Sequence, residues 1–360
     1  MGERVTLQTL ADALGVSRTT VSNAFNRPDQ LNPALRRRVL ALAAELGYAG
    51  PDPAGRALRS GRAGAIGVLL TERLSYAFAD PAAVATLRGL AVEAERTGIS
   101  LSLLPAPYSG GPPDSVKGAL IDACFVYALP EDHPSVLVAL ERRLPIVVCD
   151  TPDIAGVPLV SIDDRGGARA AAQHLLDLGH RRLAVASLRI REDDRTGFVD
   201  RERRRSSVYR VTGLRLEGYA DAIRAAGLDW DEVPIFEVNP NAREVAREAA
   251  PALLEHEPTA VLAMSDEIAL GIVDGARAAG VDVPGELSVV GFDDVPPAAP
   301  RGLTTVRQPL VEKGRVAGRM LLEAIEGGTP ADVNLPTELV VRDSTARRDG
   351  KPSRGGPTRQ

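Results

Sequence analysis

The chain has 360 residues, 44% hydrophobic and 25% charged, an ordinary balance for a globular protein and enough length for a small domain beside a two-lobed one. No apolar run approaches the ~18 residues of a membrane span, and the opening MGERVTLQTL lacks the basic and apolar regions of a signal peptide, so a cytoplasmic protein with no membrane partner is expected. The net charge of −5 is uneven: residues 1–62 hold nine arginines against five acids, a net of +4, which leaves −9 for the rest and concentrates attraction for phosphates near the N-terminus.

Residues 5–26, VTLQTLADALGVSRTTVSNAFN, read as two short helices joined by a tight turn, a helix-turn-helix. Thr6 suits the first cap, Leu7, Leu10, Ala11 and Leu14 share one apolar face, and Gly15 stops the helix. Ser17 suits the second cap, with Val16 closing over Val21 as a hydrophobic staple. Arg18, Thr19, Thr20 and Asn23 are left on the outer face, where a recognition helix presents side chains to the major groove. Helix pairs of this kind also occur in folds that never touch DNA, so context has to decide. A third helix follows, capped by Asn32, with Pro33 in its first turn, Leu35, Val39, Leu42, Ala43 and Leu46 on one face, and Gly47 at its end. Three such helices can share a core, although a unit of about 50 residues is only marginally stable alone. Pro53 to Ser60 has the length of one or two helical turns, too short to hold by itself. Leu58 among Arg56, Arg59 and Arg62 fits either a flexible basic tether or a minor-groove element with the leucine wedged between base steps.

From Gly64 onward apolar strands alternate with helical stretches. Strands are predicted at 65–70, 100–104, 123–129, 145–149, 159–162, 183–187, 233–238, 260–264, 287–291 and 338–342, and helices at 82–97, 166–178, 213–226, 242–256, 267–279 and 309–326. This is an α/β pattern with parallel sheets, and so many strands divide more naturally into two lobes than one sheet. Val84, Leu87, Ala91 and Ala94 mark a face of the helix at 82–97 that fits core or a dimer interface. Cys124 and Cys149 fall inside apolar runs, implying buried thiols in a reducing compartment and no disulfide framework. His133, His174, His180 and His256 have no metal spacing and no matched nucleophile, so no metal, cofactor or catalytic residue is assigned. DRGGARAAA at 164–172 is not a phosphate-binding fingerprint. Trp230 reads as structural, the charged stretch 188–212 as a solvated surface loop in preference to a second nucleic-acid site, and 346–360 as a disordered tail.

The head residues 5–26, LRRRVLALAAELGY, the segment with Leu58, SDEIALG at 265–271, LSVVGFDD at 287–294 and LTTVRQP at 303–309 occur in this order. In these motifs the chain resembles the lactose-repressor/galactose-repressor (LacI/GalR) family of bacterial transcription regulators, from Val5 to about Arg342. The stretch 188–212 departs from that pattern, being longer and more charged. The resemblance implies a helix-turn-helix DNA-binding domain at 1–51, a hinge helix at 52–63 and a two-lobed effector and dimerisation domain at 64–345 like that of periplasmic sugar-binding proteins. Its N-lobe would comprise about 64–161 and 294–325, its C-lobe about 164–291 and 328–345, with crossings near 161–164, 291–294 and 325–328. It implies base reading by Arg18, Thr19 and Asn23 and a wedge role for Leu58. Together the candidates for DNA contact are Thr6, Ser17, Arg18, Thr19, Thr20, Ser22, Asn23, Asn26, Leu58 and Arg59. Strand ends and the resemblance point to Tyr76, Phe78, Asp150, Arg215, Ser265, Asp266 and Asp293 as effector contacts, Asp266 fitting a helix cap equally well. The expected function is a homodimeric repressor on a near-palindromic operator, controlled by a sugar or related metabolite, and not an enzyme. The alternative is an α/β ligand-binding protein or enzyme with a fused helical head.

Overall fold

The structure, a computed structural model, describes residues 5–50, 61–70, 74–106 and 114–348, with side chains 28, 74–76 and 114 left aside. The chain divides into a unit ending at Gly64 and a larger one from Ala65 onward. The first holds α1 (Leu7–Leu14), α2 (Arg18–Asn26) and α3 (Pro33–Glu45). Thr6 and Thr9 form a reciprocal capping box, and Gly15 ends α1 at φ 65°, where any other residue would be strained. Ser17 accepts the Thr20 N–H at 3.0 Å and Asn32 that of Ala34 at 2.9 Å. Leu7, Leu10, Ala11, Val21, Ala24, Val39 and Ala43 make the core, with Val16 packed against it. Leu46, expected on that core face, is the C-cap of α3 and is 39% exposed. Phe25 and Tyr48 meet edge-on at 5.8 Å, and Arg36 Nε donates to the Ala24 carbonyl, tying α3 to α2.

In the larger unit, one lobe takes β1 (Ala65–Leu69), α4 (Leu74–Ala79), α5 (Pro81–Thr97), β2 (Ser100–Leu104), α6 (Asp114–Gly118), β3 (Ala123–Tyr127), α7 (Pro134–Glu141), β4 (Ile146–Cys149) and β5 (Leu159–Ile162). The chain then enters the other lobe through α8 (Asp164–Asp177), β6 (Leu183–Ser187), β7 (Gly197–Phe198), α9 (Arg201–Arg205), α10 (Arg210–Ala225) and β8 (Ile235–Glu237). It continues through α11 (Arg243–Leu254), β9 (Ala260–Ala263), α12 (Asp266–Ala278), β10 (Ser288–Asp293) and β11 (Thr304–Arg307). Last come α13 (Leu310–Ile325), β12 (Val333–Leu335) and β13 (Glu338–Val340). The sheets run β12-β5-β4-β3-β1-β2 and β13-β11-β10-β9-β6-β8-β7, parallel except at β7 and β13. Both faces of each are covered. In the first, Ile66, Val68 and Phe125 serve one core while Leu69, Cys124 and Val126 serve the other; in the second, Val185 and Val290 oppose Ala184 and Val289. Strands buried on both faces are continuously apolar, which is why they were visible in the sequence.

The structure revises several expectations. The lobes cross between β5 and α8 as expected, but the other crossings fall between β11 and α13 and between β12 and β13, instead of near 291–294 and 325–328. Residues 304–307 therefore belong to the second lobe, pairing with β10, and 333–335 to the first, pairing with β5. On α5, of the face read as core or a dimer interface, Ala94 is buried, Leu87 and Ala91 are half-buried and Val84 is exposed, so in the single chain only part of it serves the core; the side packed closely on α13 is marked by small residues such as Gly89. Finally, 188–212 is no solvated loop, since Ile190, Val199 and Arg203 are buried and β7 adds to the sheet edge beside β8. Residues 346–348, expected in the tail, are bound to the second lobe, with Arg348 N–H donating to the Leu178 carbonyl at 2.8 Å. Trp230 is buried beneath the Arg204 guanidinium, as a structural residue would be. Cys124 and Cys149 are free and buried; burial pushes the Cys124 thiol up to about 12. No helix among the described residues is long and apolar enough to cross a membrane.

Candidate nucleic-acid interface and ligand cleft

On α2, Arg18, Thr19, Ser22, Asn23 and Asn26 fall within an arc of roughly 140° at about 100° per residue, opposite the buried Val21 and Ala24. Arg18, Thr19 and Asn26 are exposed, and Ser22 and Asn23 half-buried. Asn26 Nδ2 donates to the Ser22 carbonyl and hydroxyl, so this pair is partly committed within the helix. Thr20 lies outside that arc, half-buried like Ser22 and Asn23, with its hydroxyl 2.8 Å from that of Ser17. Thr6 and Ser17 are caps whose exposed hydroxyls serve backbone N–H groups. Leu58 and Arg59 lie outside the described residues.

In the larger unit, a chain of buried polar contacts runs where the carboxyl ends of strands from both lobes meet. Lys313 Nζ, from α13, donates to Asp150 Oδ2 just past β4 and to Gln308 Oε1 just past β11, both at 2.6 Å. Gln308 Nε2 donates to Asp293 Oδ1 at the end of β10 at 2.5 Å. Arg215 Nη1 lies 3.9 Å from that same Asp293 oxygen, its Nε donates to Asp164 Oδ1 at 2.9 Å, and its guanidinium covers the Phe292 ring at 3.6 Å. Arg215 also donates to the Met264 carbonyl. Ligands of doubly wound α/β folds sit at carboxyl ends of strands, which gives this convergence its meaning. Burial pushes the Asp164 and Asp293 carboxyls upward, the Arg215 charge opposing it in both. For Lys313, burial works against the charged form, but the carboxylate of Asp150 prevails and the ammonium is held above its ordinary value.

Of the residues expected to touch an effector, the structure brings together Asp150, Arg215 and Asp293. Ser265 stands close by in the chain after β9, capping α12 through the Ile268 N–H and donating to Asn241 Oδ1 at 2.6 Å. Asp266 is fully buried, its oxygens accepting from the Thr305 hydroxyl at 2.6 Å and the Val295 N–H at 2.9 Å, which ties the start of α12 to β11 and to the chain just after β10. Phe78 is 58% exposed on α4; the side chain of Tyr76 lies outside the described residues. At the start of α8, the Asp163 carboxylate accepts the Gly166 N–H at 2.8 Å, filling the position a phosphate would take. Sequence reasoning missed Lys313, Gln308 and Asp164. Lys313 carried a signal, a charge on a stripe otherwise made of Leu310, Gly314, Ala317 and Leu321; Gln308 lay in a motif already noticed.

Burial raises Asp266 to about 7, against the pull of Thr305 and Val295. Folding thus favours its neutral form: the contribution is complete below the ordinary value of 3.8 and is lost as pH rises through about 7. Asp293 is shifted in the same direction. Stability should therefore fall between about pH 4 and pH 7, by at most about 1.4 kcal/mol per pH unit for each such group. Urea midpoints across that interval check this; the Asp266→Asn variant should show a shallower decline, and a wild type that gains stability contradicts it.

A helix-turn-helix head and a two-lobed α/β body on one chain define a transcription regulator that carries its own sensor. Residues 6–50 match the model of bacterial regulatory proteins of the lacI family, and 172–345 that of the periplasmic binding protein-like domain. A helix-turn-helix-type transcriptional regulator of Mycobacterium tuberculosis is 46% identical over 343 residues, 94% of this chain and 96% of that one. A LacI-family regulator from Corynebacterium glutamicum aligns in structure at 36% identity and TM-score 0.72, covering 96% of this chain and 99% of that one. The regulator CelR, solved in complex with cellobiose, aligns at 30% identity and TM-score 0.66 over 95% of this chain and 100% of that one. The chain belongs to the lacI family of bacterial regulatory proteins, DNA-binding regulators of transcription.

Proposed function

We propose that this regulator is a cytoplasmic repressor that binds a near-palindromic operator as a homodimer, with affinity set by a sugar or related metabolite held between its lobes. It acts by binding, without turnover. The observation that carries this reading is the outer face of α2: the side chains of Arg18, Thr19 and Asn23 hydrogen-bond to nothing among the described residues, leaving their donors and acceptors for base edges. Two-fold symmetry of the protein would match two half-sites. Asp150, Arg215, Asp293 and Ser265 are the groups suited to ligand hydroxyls, with Tyr76 and Phe78 as stacking surfaces. The cellobiose bound to the related CelR supports a sugar. Ligand and operator are then coupled through one equilibrium between lobe arrangements, and each changes the affinity for the other.

Selection of bound fragments from the source genome, followed by titration of the selected duplex with and without candidate sugars, tests the proposal. Arg18→Ala is expected to cost about 1–3 kcal/mol on that duplex and to relax base preference at one position per half-site. Equal weakening on all sequences would instead make Arg18 a phosphate contact. Failure to select any sequence would remove the regulator reading itself.

A further inference from the structure

The buried chain of contacts leaves hydrogen-bonding capacity unspent. Asp150 Oδ1 and Asp164 Oδ2 accept no hydrogen bond, although Asp150 is only 7% and Asp164 only 1% exposed. Lys313 Nζ spends two of its three protons, on Asp150 and Gln308, and is itself 1% exposed. Unmet acceptors and donors in such surroundings are costly unless something else meets them. Both cations are already paired: Lys313 with Asp150, and Arg215 with Asp164 and, at longer range, Asp293.

We propose that the Asp150–Lys313 pair reads two neighbouring hydroxyls of an uncharged polyol, and that the site refuses phosphorylated or carboxylated ligands because neither of its cations is free. This rests on the cleft being the ligand site. One hydroxyl donates to Asp150 Oδ1, and its neighbour accepts the remaining Lys313 proton; both reach partners belonging to a single ion pair. An anionic ligand reaching the remaining Lys313 proton would meet the unmet Oδ1 of Asp150, a charge of its own sign, while the Lys313 and Arg215 charges are already offset by buried carboxylates. A lone buried lysine would invite an anion; pairing with Asp150 reverses its preference.

The test is calorimetric titration of the full chain with neutral monosaccharides, disaccharides and acyclic polyols. Alongside them go the phosphate ester and uronic acid of each sugar, with circular dichroism to establish that each variant is folded. The wild type should bind a neutral compound at least tenfold more tightly than its phosphate. Lys313→Met should weaken the neutral compound at least tenfold but leave its deoxy analogue, lacking one of the paired hydroxyls, little changed; Lys313→Gln, which keeps a donor, should recover part of the loss. Asp150→Asn, which frees the ammonium, should shift preference at least tenfold toward the phosphate. Tighter binding of the phosphate or uronate by the wild type, equal losses for the compound and its deoxy analogue, or binding of none of the neutral compounds overturns the proposal. Failure of the regulator reading would appear separately, as absence of sequence-specific DNA binding by the wild type.

Discussion

Arg203→Ala is expected to destabilise the larger unit by about 3–5 kcal/mol, the cost of breaking a buried ion pair by removing one partner. Arg203 Nε and Nη2 donate to Glu237 at 2.6 and 3.0 Å, while Nη1 and Nη2 donate to Asp193 at 2.8 and 2.6 Å. Glu237, at the end of β8, is fully buried and also accepts the Ile190 N–H at 2.7 Å. With the guanidinium removed, its carboxylate would have no cation and no route to water. The two pairs hold 188–212 onto the second lobe, and the carboxylates in turn keep Arg203 charged. Because Asp193 is half exposed, Asp193→Ala should cost far less, of order 1 kcal/mol or below. Adding Glu237→Gln to Arg203→Ala should return part of the loss by removing the stranded charge. Urea denaturation of the four proteins measures this, and a loss below about 1 kcal/mol for Arg203→Ala would return the segment to the status of a surface loop.

Gly314→Ala is expected to cost about 3 kcal/mol or more, at or beyond the upper end of ordinary overpacking. A Cβ at Gly314 would stand 1.9 Å from the Thr86 carbonyl oxygen and 2.8 Å from Leu90 N; one at Gly89 would stand 1.9 Å from the Val311 carbonyl oxygen. These neighbours are backbone atoms of the facing helix, so the clash is relieved only by moving α5 and α13 apart. Separation would also disturb Glu93, buried between the helices and held in its ionised form by Arg96, with Arg315 and Arg319 each 3.4 Å away. The intrinsic gain from replacing a helical glycine, about 1 kcal/mol, is too small to offset this. Gly118, with nothing within 4 Å of its Cβ position, is the control: Gly118→Ala should be neutral or slightly stabilising. Equal thermal shifts for the two substitutions would show that the helix approach tolerates a methyl group.

The candidate interface on α2 was legible because it depends on local order: caps, a glycine stop, and apolar residues at helical spacing leave only certain side chains outward. Thr20 stands to one side of that face, its hydroxyl 2.8 Å from that of the Ser17 cap. The buried polar chain was legible in part. Asp150 and Asp293 follow apolar strands, and carboxyl ends of parallel strands converge by the logic of the fold. Their partners were not legible, because Lys313 lies 163 residues from Asp150, and Arg215 lies 51 from Asp164.

By itself the sequence determined the helix-turn-helix, the alternation of buried strands with helices, the separation of a basic head from an acidic body, and the place of most strand ends. Each follows from composition and periodicity over a few residues. Tertiary structure alone decided where the chain crosses between the lobes, which small residues let α5 and α13 touch, and that Arg203 and Lys313 are buried ion partners and not solvated charges. The physical reason is that burial and pairing set the energy of a charge or a glycine contact, and both depend on segments far apart in the chain.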